Sequence, residues 1–535
     1  MASNIDTQAV GQLAAMHQPR LGPARMAVAG AVGLTILVRM VYLTGPHAMF
    51  DADEASTGIM VRQLLAGHFI GFFAGQHYGG SLELYFQAAL YKVLPIPQTP
   101  LTLRLIPTFM CGATAYTVYV LAKRTGFSGR RAVTAAYIYA AWPWFNVVGG
   151  AGSFGFYAAG QLLSVLSVIA ADDVRRNPTT RRLAVFGFAT GLAVWTAPTS
   201  LYLVVPAVLW ALPALRPVRR RALAAVAGLA VGALPLLELT LVQHHFPFPA
   251  STPVASSALQ RVGNFFGPIM RETLGLSYSY DRGGPPRWLG VTAQIVVISW
   301  YCIALFRRRA RLWSLVRIRA SGAQLADALF LVPVIVMLLF AGSKNTWFYD
   351  NPRYLFTALP ALAVAAAATP SLSMRFGKRW QGWFALASAL CLVFSSTSGI
   401  VREQTSPGVA SLRPTYESVI AELERRGERV IYSDYWAAMP LQYFAKGRLR
   451  VAVAIGVQRF PDLQEGARLA PDVVYVASIS DASDQAVRRG LKMQDVSFRE
   501  TRMDSLVIFD KLSQPLRPCA LGLQQGARCV SAPDS

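Results

Sequence analysis

Apolar residues along this chain come in runs of about 17–20, the length at which a helix crosses a bilayer. Short polar stretches, often with Gly or Pro, part the runs. Eleven segments are predicted as spans: Met26–Leu43, Arg104–Leu121, Ala132–Val148, Phe156–Ala171, Leu183–Thr196, Ser200–Leu212, Ala222–Leu241, Val291–Phe306, Leu325–Ala341, Tyr354–Ala368 and Trp383–Ile400. Leu82–Leu94 is apolar as well, but at 1.5 Å per residue it makes only roughly 20 Å of helix, so it is expected to lie in the membrane interface. Leu183–Leu212 is too long for one span and basic at both ends, which predicts a hairpin turning at Ala197–Ser200.

Beyond Ile400 the pattern becomes one of short strands alternating with helices. Helices are expected at Tyr416–Arg426, Trp436–Lys446, near Leu463–Leu469 and at Ala482–Arg489. Strands are expected at Arg429–Tyr432, Leu449–Ile455 and Val473–Ala477, with a terminal hairpin pairing Gln494–Phe498 with Ser505–Asp510. Such alternation predicts a small α/β domain. The expected fold class is therefore a polytopic α-helical membrane protein of about 11 spans with a C-terminal α/β domain. Its divisions are a leader at 1–25, a membrane domain at 26–400, the α/β domain at 401–512 and a tail at 513–535.

Composition sharpens this. Apolar residues make up 53% of the 535 residues and charged residues 15%, against about 25% charged in soluble proteins; mean hydropathy is +0.37. A soluble enzyme is excluded. The net charge of +23 would suggest nucleic acid on a soluble protein, but here its distribution decides. One set of short connections, from Arg20 to Arg379, holds 23 Lys and Arg, while the alternating, longer ones hold 8. Basic loops face the cytoplasm, so the N-terminus is cytoplasmic and the connections 44–103, 242–290 and 342–353 face out. With an odd number of spans, so does the α/β domain. No nucleic-acid partner is expected. Cys519 and Cys529 are the pair outside the spans, placed to close a loop of about ten residues in an oxidising compartment, and no Cys/His metal spacing occurs.

The chemistry concentrates in the first outer connection, Phe50-Asp51-Ala52-Asp53-Glu54-Ala55. Carboxylates directly after a span are costly beside lipid without a partner or a task. Asp51 and Glu54, at i and i+3, suit a capping box, and Asp53 would complement a helix dipole; equally, all three suit proton transfer. Farther along stand His77, Tyr78, Glu83, Lys344, Arg353 and Tyr354, with Arg39 near the outer end of the first span. Arg353, and Lys344 in the same connection, are suited to gripping a phosphate or to snorkelling at a span end. Arg39 is expected either to pair with a nearby carboxylate or to snorkel. His77 with Asp53 and Glu83 makes a divalent cation possible. Asp434-Tyr435-Trp436 follows a strand, where α/β domains place ligand loops; packing against the membrane domain is the alternative.

These motifs, in order, resemble the GT-C class of membrane glycosyltransferases. Arg39-Met40-Val41-Tyr42 followed by Asp53-Glu54-Ala55 is similar to the first span and loop of the branch holding protein O-mannosyltransferases and lipid A aminoarabinose transferases. Tyr78 to Phe86 occupies the place of that branch's second interfacial helix. Arg104-Leu105-Ile106-Pro107 looks like its second span, and Asn351-Pro352-Arg353-Tyr354-Leu355 like its later outer-loop motif. The resemblance covers Met26 to about Pro370. It implies transfer of a sugar from a polyprenyl-phosphate carrier to a glycan, lipid or protein hydroxyl at the outer face of a bacterial inner membrane, with inversion. Asp53 would be the catalytic carboxylate, Asp51 the second choice, and Glu54 the third acid of the set. The loop Asn146–Gly155 lacks the carboxylates that the aminoarabinose branch offers a metal. A transporter or flippase of lipid-linked glycans is the rival reading. Transporters usually place ionisable groups in mid-span and show internal repeats, and this chain does neither.

Overall fold

The computed structural model describes residues 23–44, 50–142, 144–215, 219–245, 257–276, 286–319, 322–342, 353–368, 401, 413–479 and 482–524. Helix α1 (Pro23–Thr44) is followed by α2 (Ala52–Leu65), α3 (Leu82–Val93), α4 (Leu105–Arg124), α5 (Gly129–Ala140), α6 (Trp144–Ala151), α7 (Tyr157–Arg176), α8 (Thr180–Thr196), α9 (Leu201–Leu215), α10 (Arg219–Gly232), α11 (Arg287–Val316), α12 (Val332–Gly342) and α13 (Leu359–Ala367). Among the described residues, six helices are long and apolar enough to cross a bilayer. They become seven if Arg221–Gly232 and Leu234–Val242, bent by 75°, form one span.

Six or seven of the expected eleven are thus found among the described residues, and several of the differences there have local reasons. The segment Ala132–Val148 divides into α5 and α6 across Trp142-Pro143, where proline disfavours helix for the residue before it. The run Ala222–Leu241 bends where Pro235 removes a backbone donor. Tyr354–Ala368 is a tight turn, Arg353–Ala358, leading into α13 with Pro360 in its first turn. Trp383–Ile400 lies outside the described residues. The hairpin at Leu183–Leu212 is present: α8 ends at an extended Ala197 (φ −149°, ψ 120°), and a turn at Pro198–Ser200 starts α9. Leu82–Leu94 forms the short α3 as expected.

Helix α7 is the hub, packed on α4, α8 and α9. The closest helix pair is α8 with α10. Gly187 and Gly191 on one face Gly228 and Gly232 on the other, and a Cβ at Gly187 would overlap the Ala225 carbonyl. Four glycines at a spacing of four let two backbones touch, a device that hydropathy alone does not announce.

The C-terminal part contains α14 (Arg413–Arg425), β1 (Val430–Asp434), α15 (Tyr435–Ala445), β2 (Arg450–Ile455), α16 (Pro461–Arg468), β3 (Tyr475–Ser478), α17 (Ser483–Met493), β4 (Arg499–Met503) and β5 (Leu506–Asp510). The sheet order is β2-β1-β3-β5-β4. β2, β1 and β3 are parallel, while β5 and β4 close the edge antiparallel. The central strands are buried along their length, as parallel strands covered on both faces must be. The hairpin's first strand is Arg499–Met503, not Gln494–Phe498. Met503 pairs with Leu506 across Asp504-Ser505, and Asp504 adopts φ 50°. The exposed edge reads Arg-Glu-Thr-Arg-Met, with no apolar alternation to reveal it. Cys519 is disulfide-bonded, and its partner lies outside the described residues.

One hydrophobic core runs from the helical part into the sheet part. At the join, Arg62 of α2 donates to the Tyr443 carbonyl at 2.7 Å and lies 4.3 Å from that ring's centroid. Phe50 packs on Tyr443 and Phe444 at 4.9 and 5.6 Å. The sheet is thereby seated on α2, the helix that carries the acidic motif.

Candidate active site

Chain leaving α1 re-enters helix at Ala52 because Asp51 caps it. Its backbone is extended (φ −90°, ψ 178°), and its Oδ1 accepts from the Glu54 amide at 2.9 Å. The expected capping box is only half made. Glu54 turns instead to Arg104, whose Nε donates to Oε1 at 2.7 Å while Nη2 bonds Oε2. The Ser153 amide adds a third bond, at 2.7 Å. Glu54 and Arg104 are 2% and 4% exposed, so Glu54 is a buried tie between α2, the start of α4 and the loop before α7.

One residue along a helix is about 100° of rotation, and Asp53 faces elsewhere. Its Oδ1 accepts from the Tyr435 hydroxyl at 2.6 Å and from Arg459 Nη2 at 3.0 Å, and its Oδ2 from Arg353 Nη1 at 3.3 Å. Burial alone would raise its pKa. The Arg459 and Arg353 guanidiniums and the Tyr435 hydroxyl outweigh burial and hold the carboxyl below its ordinary range. Asp51 goes the other way: burial, then the Asp53 and Glu54 charges, push it up to about 7. Burial and the Asp53 charge raise Tyr435, so it stays a donor.

The sheet part positions Tyr435 and Arg459. Asp434, at the end of β1, accepts from the Ala437 amide at 3.0 Å and from the Ser478 amide of β3 at 2.9 Å. It thus caps α15 and fixes Tyr435, the helix's first residue, over Asp53. Arg459 sits in the loop after β2. Both follow C-terminal ends of parallel strands, where such sheets carry ligands.

Around these charges stands an aromatic wall. Tyr78, pushed up to about 12 by burial and then by Tyr354, lies within electrostatic reach of Arg459, Arg353 and Asp53. Tyr157, at the start of α7, senses Arg353, Tyr354, Tyr78 and Asp53. The Arg353 guanidinium is 5.8 Å from the Tyr354 ring centroid. Of the sequence candidates, Asp51, Asp53, Tyr78, Arg353 and Tyr354 therefore meet.

Others do not join them. Glu83 is 1% exposed on α3 and accepts from the Ala159 amide in the first turn of α7 at 3.4 Å. Its Oε1 has no partner, and burial pushes its pKa up to about 8. His77 stacks on His245, ring centroids 4.3 Å apart. No group of three His, Cys, Asp or Glu side chains among the described residues is placed to hold a metal ion, so the trio Asp53, Glu83 and His77 is not assembled. Arg39 neither snorkels nor meets a carboxylate. Wholly buried, it donates to the carbonyls of Thr35 at 3.1 Å and Asn146 at 2.8 Å. Lys344 lies outside the described residues. Tyr435 belongs to the triplet singled out in the sequence, whereas Arg459 carries no sequence signal that separates it from a surface arginine.

No family model matches the sequence, and neither does any curated protein. Solved structures do. ArnT from Cupriavidus metallidurans bound to undecaprenyl phosphate superposes with a TM-score of 0.56 at 12% identity, covering 92% of this chain and 99% of that one. The same protein in the apo state gives 0.57 at 13%, covering 94% and 98%. The Archaeoglobus fulgidus oligosaccharyltransferase in complex with Zn and sulfate gives 0.53 at 13%, covering 90% and 73%. At such identities the likeness is one of fold, and over nearly its whole length this chain has the GT-C-like fold of those membrane glycosyltransferases.

Proposed function

We propose that this protein is an integral-membrane glycosyltransferase that moves a sugar from a polyprenyl-phosphate carrier to an acceptor hydroxyl. The observation that carries the reading is the Asp53 cluster: a carboxylate kept ionised by two guanidiniums and a phenol, in a chain of GT-C-like fold. Two neighbouring carboxyls with pKa values driven apart, Asp53 down and Asp51 up to about 7, mark an acid/base assignment. Asp53 is the base. The acceptor oxygen attacks the sugar's C1, its proton passes to Asp53, and the C1–O bond to phosphate breaks with its electron pair on the phosphate. The two carboxylate oxygens offer about four lone-pair sites in all, enough to receive that proton. Arg353 faces the departing phosphate, and Tyr78 and Tyr354 wall the site.

On this reading the membrane domain spans 26–400, with the site at its outer face and the sheet domain, 401–512, on the same side. The basic connections lie in the cytoplasm of a bacterial inner membrane, and attack from the face opposite the phosphate inverts the anomeric centre. Donor, acceptor and membrane lipids are the partners. ArnT bound to undecaprenyl phosphate supports the donor class. Asp53→Asn tests the role. General-base removal costs about 10²–10⁴-fold, so turnover of a synthetic short-chain polyprenyl-phosphate sugar by the purified variant should fall by that factor, with donor binding retained. Near-normal turnover in Asp53→Asn would sink the assignment.

A further inference from the structure

Two adjacent strands of the sheet deliver side chains to one carboxylate of the helical part. β1 hands over Tyr435 directly, and β2 reaches Arg459 through Gly456, at φ +100°, where a Cβ would approach that of Tyr435 to 2.9 Å. From the opposite side, Gly75, at φ +68°, leaves space for the backbone of Arg459, whose Cα would lie 3.0 Å from a Cβ there. Both glycines permit a close approach that side chains would block. Arg459 is 8% exposed, and all three of its nitrogens are engaged. Nε donates to the Tyr435 hydroxyl at 2.5 Å, Nη1 to the Ala74 carbonyl at 3.1 Å, and Nη2 to Asp53 at 3.0 Å. Its guanidinium carbon is 5.0 Å from the Phe73 centroid. This guanidinium is held in place before any ligand arrives, the condition for electrostatic stabilisation at low reorganisation cost.

Arg353 reaches the other oxygen of the same carboxylate. Two forks, from the membrane part and from the sheet, thus converge on a single anion. A sugar phosphodiester presents two free oxygens and one negative charge. Once its C1–O bond breaks, the leaving monoester presents three oxygens and more charge. Guanidiniums placed so grip the product-like state harder than the donor, which is how binding becomes catalysis.

We propose that Arg459, carried by the sheet domain, is the second cation of the phosphate site, and that donor phosphate takes over the guanidiniums Asp53 holds, releasing the carboxylate for the acceptor proton. This rests on the transferase reading above and adds to it that the sheet domain completes the active site.

The test measures equilibrium binding of a short-chain polyprenyl phosphate, and of the matching polyprenol, to the full-length protein in detergent, with the melting temperature of each variant recorded. Wild type should prefer the phosphate. Arg459→Gln should bind the phosphate about 10- to 100-fold more weakly, the range for losing charge-assisted hydrogen bonds, with polyprenol binding unchanged. Arg459→Lys, which keeps the charge without the fork, should fall between, and it carries the test if the Gln form fails to fold. Asp53→Asn should bind the phosphate several-fold more tightly, because a competing anion is gone. Opposite signs for Asp53→Asn and Arg459→Gln support the proposal. Equal signs, or wild-type phosphate affinity in Arg459→Gln and Arg459→Lys, reduce Arg459 to a brace between the two parts and overturn it. A wild type indifferent to the phosphate overturns the donor reading itself.

Discussion

Asp53 and Glu54 are neighbours in sequence, and each meets arginine, yet they build opposite kinds of site. Glu54 faces one guanidinium in a closed, two-pronged pair, with a backbone amide completing its shell and almost no exposure on either partner. Asp53 is 14% exposed and is shared by two guanidiniums and a phenol drawn from regions 300 to 406 residues away. A buried pair matched one to one does little beyond holding its elements together, and breaking it strands a charge. A carboxylate shared among donors from separate elements can exchange partners when another anion enters. Side by side, the two residues separate the holding of α2 from the chemistry α2 presents.

Substitutions can break that contrast, and the largest effect is expected at the closed pair. Glu54→Ala takes away the carboxylate that the buried Arg104 grips with two bonds, at a cost of about 3–5 kcal/mol of stability. The denaturation midpoint should drop accordingly, while turnover per folded molecule stays near wild type. The double variant Glu54→Leu/Arg104→Met should recover most of the loss, since apolar replacement of a whole buried pair is often neutral. Normal stability with lost turnover in Glu54→Ala would move Glu54 into the chemistry and erase the distinction.

At the open cluster the expected pattern is reversed. Arg353→Ala should lower turnover about 10²–10³-fold, roughly 3–4 kcal/mol of barrier, with little change in melting temperature. Arg353→Lys should recover only part, because the bidentate fork is gone. Equal activity of wild type, Lys and Ala forms in a steady-state assay would return Arg353 to a snorkelling role.

The sequence carried the helical character, the α/β domain and the acidic loop, because each rests on local pattern: run length, strand–helix alternation, and carboxylates placed where lipid would punish idle ones. It did not carry the partners of Asp53. Arg459 lies in a stretch of ordinary polarity, and what makes it special is the parallel pairing that sets β2's end beside β1's and the bend at Gly456 packed on Tyr435. Arg39 was open to misreading for a related reason, since its acceptors are the carbonyls of Thr35 and Asn146, and a carbonyl acceptor leaves no mark in residue identity. Helix continuity was not legible inside two apolar runs, where α5 ends ahead of Trp142 and where the chain bends beyond Gly232, next to Pro235, because hydropathy averages over the break.

The smallest and most discriminating effect is expected at Asp51. Asn caps a helix about as well as Asp, so Asp51→Asn removes a titration and keeps the bond to the Glu54 amide. In the folded protein Asp51 titrates near 7, above its ordinary 3.8, through burial and then the charges of Asp53 and Glu54. The folded state therefore keeps a proton that the unfolded chain gives up between about pH 4 and 7. Native protein binds more protons there, so its stability falls as pH rises across that window, and what is fully present below pH 4 is lost by the time pH passes 7. The variant has no proton to lose. Its unfolding midpoint should match wild type near pH 4 and exceed it at pH 8, with a turnover change of no more than about tenfold, below the 10²–10⁴-fold that loss of a base would cost. Parallel stability curves from pH 4 to 8 would mean that Asp51 titrates in the folded protein as it does in the unfolded chain, and that neither burial nor its neighbours raise it. If turnover instead collapses in Asp51→Asn while Asp53→Asn stays active, the base is Asp51, and the guanidiniums around Asp53 serve to hold it still.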